Sequence, residues 1–139
     1  GVMRGEGGVV VATWSDLVRF IDRTYKYEML SESILKLVFN VSDLRSQIVL
    51  VEHAFNESRT EWCRMSSPIG KLDAPEVIYA AQRLGDTLLG GVTMIDDMAY
   101  VTTSVPLQNI DANEITDSIE GVVSIADRLE ADILGTDEY

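Results

Sequence analysis

Apolar side chains along this chain recur with two different periods, and the switches between them mark out the elements. Trp14, Leu17, Val18, Ile21 and Tyr25 fall at helical spacing, with Asp16, Arg19, Asp22 and Arg23 elsewhere and Phe20 widening the apolar side. Thr13-Trp14-Ser15-Asp16 ahead of them is a near capping box, with a short acid where Glu or Gln is usual. The spacing predicts an amphipathic helix from Trp14 to Tyr25.

Three runs of strand character follow. Ile34 to Val41 places Leu35, Leu37, Phe39 and Val41 on one face, Ser42-Asp43 turns the chain, and Ile48 to Phe55 makes the second run. Asn56-Glu57-Ser58 is a further turn before Thr60 to Ser66, and such short polar connections predict an antiparallel meander. Asp73-Ala74-Pro75-Glu76 opens a second helix with an acceptor cap, a proline tolerated in the first turn and a Glu three residues on. Val77, Ala81 and Leu84 supply its apolar stripe, and Gly85 ends it. Val92 to Ile95, a turn at Asp96-Asp97 and Met98 to Val105 form another hairpin, stopped by Pro106. Asp111-Ala112-Asn113-Glu114 then starts a long helix carrying Ile115, Ile119, Val122, Ala126, Leu129 and Ile133 on one face, up to Gly135. Helix, three strands, helix, two strands, helix is an α+β order with an antiparallel sheet. Residues 1–12, glycine-rich and then valine-rich, read as a flexible leader ending in a short added strand; residues 13–139 read as a single domain.

The strands carry apolar residues on both faces. Ile34 and Val38 oppose Leu35, Leu37 and Phe39, while Val49 and Val51 oppose Ile48 and Leu50. A sheet of this kind needs cover on both sides, and three helices suffice for one side and part of the other. The uncovered remainder is expected to be an interface.

Composition narrows the function classes. With 46% hydrophobic residues the chain has the material for a core. No run approaches the ~20 apolar residues a bilayer span requires, and the N-terminus has no stretch of signal-peptide length, so a cytoplasmic protein is expected. The net charge of −12 is lopsided: residues 1–70 hold eight Lys and Arg against nine Asp and Glu, and residues 71–139 three against fourteen. Such a surface repels phosphate backbones and anionic lipid, so neither nucleic acid nor membrane is an expected partner. The acidic half is first of all a solvated face.

Cys63 and His53 are the sole cysteine and histidine, which rules out an intrachain disulfide and a cysteine-rich zinc site. Any Ser-His-Asp or Cys-His arrangement would have to use these two residues, and both sit in strand-like runs where a packing role is the simpler account. Asp96-Asp97 is a turn rather than a cation site, since adjacent residues on a hairpin point apart. Gly90-Gly91 leads into a strand, unlike a phosphate loop. Trp62 suits a core, a dimer seam or a binding hot spot. No catalytic residue, metal ligand or cofactor site is assigned.

The series Gly90-Gly91-Val92-Thr93-Met94-Ile95-Asp96-Asp97-Met98-Ala99-Tyr100-Val101, then Ser104-Val105-Pro106-Leu107-Gln108-Asn109-Ile110-Asp111, then Ile115, Ile119, Val122 and Ala126-Asp127-Arg128-Leu129-Glu130, resembles the YbjN-like and type III secretion chaperone-like (CesT-type) domains. Ser67-Pro68-Ile69-Gly70 is similar to the same group, and the element order matches from Trp14 to Leu134. The resemblance implies an α-β-β-β-α-β-β-α fold with a twisted antiparallel sheet. It also implies a non-enzymatic domain that holds a protein or peptide client, often as a homodimer built through the middle helix and a neighbouring strand. Client contacts are expected at Ile34, Val38, Val49, Val51 and Trp62, and dimer contacts at Val77, Ile78 and Ala81, with the acidic surface favouring basic clients. The rival expectations are a small-molecule-sensing regulatory domain, an enzyme working through carboxylates alone, and a purely structural homodimer.

Overall fold

A computed structural model describes residues 4–5, 8–42 and 45–135. A six-stranded antiparallel sheet runs in the order β3 (Tyr27–Ser31), β4 (Ile34–Ser42), β5 (Arg45–Phe55), β6 (Glu61–Lys71), β8 (Met98–Pro106), β7 (Gly91–Ile95). A small second sheet joins β1 (Arg4–Gly5), β2 (Gly8–Val11) and β9 (Ile110–Asp111). The helices are α1 (Trp14–Thr24), α2 (Ala74–Leu84) and α3 (Ala112–Glu130), the last continued by a π-helical turn at Ala131–Gly135. The molecule is thus α+β, with the expected succession of elements around a sheet packed by helices.

The helices begin where their side chains satisfy the orphan N–H groups of the first turn. Thr13 Oγ1 accepts from the Asp16 N–H at 3.2 Å, while the Asp16 carboxylate takes the Ala12 N–H at 3.2 Å. Asp73 with Glu76 and Asp111 with Glu114 form full capping boxes. In α2 the inward line is Ala80 and Leu84 with Val77 half-buried. Ala81, one helical step of about 100° beyond Ala80, is exposed, so it does not belong to the buried stripe.

Two features of the sheet depart from expectation. Strand β3 has no counterpart in the predicted elements: it is an edge strand, almost wholly exposed, and so lacks a periodic apolar signal. Strand β6 runs five residues past Ser66, through Pro68 to Lys71, because a bulge between Pro68 and Gly70 absorbs the missing donor. Gly70 adopts φ +135° there. The turn expected at Ser42-Asp43 lies partly outside the described residues. The added strand at the end of the leader is present as β2, with Val11 buried in the core.

Register decides what the two faces do. Leu35 lies opposite Val51, and Leu37 opposite Val49, and Val51 in turn faces Met65. Directly paired residues in an antiparallel sheet point the same way. These side chains therefore share one face with Cys63, Ile69, Ala99 and Val101, and all are fully buried against Leu17, Ile21, Ile115, Ile119 and Val122 of the helices. Gln47 and Ser67 are buried polar exceptions on this face, and both are satisfied. The Gln47 amide donates to Ser67 Oγ at 3.0 Å and to the Pro68 carbonyl at 2.7 Å, and Ser67 Oγ donates on to the Ile48 carbonyl at 2.6 Å.

Candidate functional site: the uncovered face of the sheet

Among the described residues, the helices place their buried side chains in the core on one face of the sheet, and the opposite face of the same strands is left to line an open hollow. Ile34 pairs with Glu52, Lys36 with Leu50 and Val38 with Ile48, so these residues point away from the core. Across the sheet they continue as Ser66, Thr102, Tyr100 and Thr93. This face holds a hollow of ≈ 410 Å³ lined by Ile34, Leu50, Glu52, Arg64, Ser66, Thr93, Ile95 and Tyr100.

Each wall follows from strand alternation. Leu50 and Ser66 sit on the middle strands and face outward because Val49, Val51, Met65 and Ser67 face inward. Ile34 on β4 and Ile95 on β7, the latter 61% exposed, are the lining residues from the outermost contributing strands. The floor is a line of hydroxyls. Ser66 Oγ lies 3.1 Å from Thr102 Oγ1, which lies 2.7 Å from Thr93 Oγ1. One rim is a cross-strand ion pair, Arg64 to Glu52 at 3.3 Å, exposed enough for solvent to weaken it. The trough is therefore an apolar channel with a polar floor and a self-neutralised rim.

Of the residues predicted to touch a client, Ile34 lines the trough. Trp62 is half-buried on the same face, between Ala54 and Pro106. Val38, 53% exposed, is also on that face but belongs to a separate shallow hollow with Lys26, Tyr27, Glu28 and Lys36. Val49 and Val51 are a correction. Both are fully buried under the helices, because the register aligns them with Leu37 and Leu35 instead of with Ile34 and Val38. Their neighbour Leu50 is the outward-facing residue and lines the trough. Tyr100 and Ile95 were missed as well. The signal that separates the faces is the charge sharing Leu50's parity at Glu52, opposed on the next strand by Arg64.

The residues expected at a dimer seam divide similarly. Val77 packs against the core, whereas Ala81 is exposed and Ile78 is 58% exposed. Exposed Tyr79 and Leu88 extend that surface on α2 and the loop after it.

His53 and Cys63 are directly opposed on β5 and β6. Burial, with a smaller push from Glu52, raises the Cys63 thiol to about 12, which leaves it protonated and a poor nucleophile. The His53 ring lies flat against Trp14 with centroids 5.1 Å apart, and its Nε2 is 2.9 Å from Glu61 Oε1. Glu61 Oε1 also accepts the Trp14 N–H at 3.3 Å. Together these contacts tie the start of α1 to the end of the sheet. Asp96 adopts φ +55° in the β7–β8 turn, as its turn assignment requires. No family model matches the chain, and no curated protein matches it. Among the described residues no helix is long and apolar enough to cross a membrane.

Proposed function

We propose that this domain is a non-enzymatic, cytoplasmic, chaperone-like adaptor that holds a segment of another protein against the uncovered face of its sheet. The carrying observation is that all the buried apolar side chains of the sheet face the helices, while Ile34, Leu50, Tyr100 and Ile95 surround an open trough on the other side. Apolar burial supplies affinity to such a site, and the net charge of −12 supplies a preference for basic clients. The likeness to secretion chaperones points the same way. It also supports a homodimer through α2, in which Ile78, Ala81 and Tyr79 meet a second copy.

The test is capture of clients from the source cell by the intact chain and by Leu50→Gln. Polypeptides held by the first and released by the second support the proposal; an identical set on both contradicts it.

One observation favours a second function. A hollow of ≈ 410 Å³ falls within the size range of small-molecule sites, and Ser66, Thr93 and Tyr100 offer it hydroxyls. On that account the domain senses a metabolite. A thermal-shift screen in which a small molecule raises the unfolding midpoint, and Leu50→Gln cancels the rise, would favour the sensor.

A further inference from the structure

Granted that the trough receives a protein segment, the geometry points to the form the segment takes: we infer that it binds as a basic amphipathic helix lying across the strands, not as an added strand. Three observations converge on this.

The first is hydrogen bonding. Every strand under the middle of the trough is paired on both sides: Leu50 with Lys36 and Ser66, Ser66 with Leu50 and Thr102, Tyr100 with Pro68 and Thr93. Away from the Pro68–Gly70 bulge, the backbone groups of the floor are committed to these ladders. An extended segment pressed into it would leave its own amide groups without partners on the buried side, at a cost of about 1–3 kcal/mol for each group. A helix satisfies its backbone internally and offers only side chains.

The second is length. The lining residues come from five neighbouring strands, β4, β5, β6, β8 and β7. Four inter-strand spacings amount to about 19 Å. A helix rising 1.5 Å per residue crosses that distance in roughly 12 or 13 residues, a common helix length, and presents three or four apolar side chains at i, i+4, i+7 and i+11. Ile34 on β4 and Ile95 on β7 come from the outermost of these strands, with Leu50, Ser66 and Tyr100 on the strands between them.

The third is charge. Glu52 and Arg64 cancel each other at the rim, so the trough is locally neutral within a chain of net charge −12. The far field acts on the helix's outer face and favours Lys and Arg there. The same charge disfavours a second copy of this chain as the occupant.

The probe is a synthetic peptide of roughly 14 residues with leucines at i, i+4, i+7 and i+11 and lysine and glutamine elsewhere. Two comparison peptides have the same charge: one scatters the leucines around the helix, and one carries two central prolines. Calorimetric titration into the intact chain is expected to show the first peptide bound at least about tenfold more tightly than either comparison. Its circular dichroism should gain helix on binding, and Leu50→Gln should weaken it about tenfold. Ile95→Gln, at an exposed position, checks the same site if Leu50→Gln unfolds the sheet. If the proline peptide binds as tightly and is lost on the same substitutions, the helix inference falls and segment docking stands. If no peptide binds, or if neither substitution alters binding, both fall.

Discussion

At the residue scale, backbone geometry and burial single out a few positions whose substitution has a definite sign. Gly90 adopts φ +53°, and a Cβ there would lie 1.8 Å from the Thr102 carbonyl oxygen, on the strand that floors the trough. Gly90→Ala should therefore cost about 2–4 kcal/mol in denaturant unfolding, more than the left-handed conformation alone explains. Tyr25 shows the opposite sign. Its hydroxyl is buried near Thr116 but forms no hydrogen bond of adequate geometry. The ring is held edge-on by Phe20 and Phe39. Tyr25→Phe keeps the ring and removes the unsatisfied group, so it should stabilise by about 0.5–1 kcal/mol in the same assay. A loss of stability would show that the hydroxyl is bonded after all.

At the element scale, the sequence disclosed those parts of the fold where local chemistry and burial agree. Asp73 and Glu76, Asp111 and Glu114, and Thr13 with Asp16 announced three helix starts, because a cap acts within four residues of chain. The meander was equally legible from its polar turns. Strand β3 was not, since Glu28, Leu30 and Ser31 on an exposed edge leave no burial to read. The candidate site was half legible. Two apolar faces per strand implied an uncovered surface, but a one-residue parity choice separates Leu50 from Val49 and Val51, and only the register with β4 makes it. At the end of α3, Glu130 follows the same local logic. Burial, then the Asp127 carboxylate, raise its pKa, with Arg45 opposing them. The folded state holds that proton more tightly than the unfolded chain, so its contribution declines as pH rises above the ordinary glutamate range. Glu130→Gln should raise the unfolding midpoint at neutral pH, an effect worth below about 1 kcal/mol for a half-buried acid near a helix C-terminus. The advantage should vanish below about pH 3, well under the ordinary glutamate pKa of about 4.3, where both states carry the proton. A gain that persists at low pH would assign it to packing.

At the scale of the whole molecule, three helices and one sheet face use up the core, and the second sheet face is left to the outside. That asymmetry, more than any single side chain, is the basis for assigning a binding role. The acidic surface adds a condition: with a basic client, affinity should fall as salt rises from 0.05 to 0.5 M, because screening removes the long-range attraction and leaves the apolar contact. The most direct test is photo-crosslinking in the source cell, with a photoreactive residue placed at Ile95 in the trough or at exposed Ser124 on the helix side. The account predicts a polypeptide adduct from position 95 that is absent from position 124. Adducts from position 124 alone, or none from position 95, would contradict it.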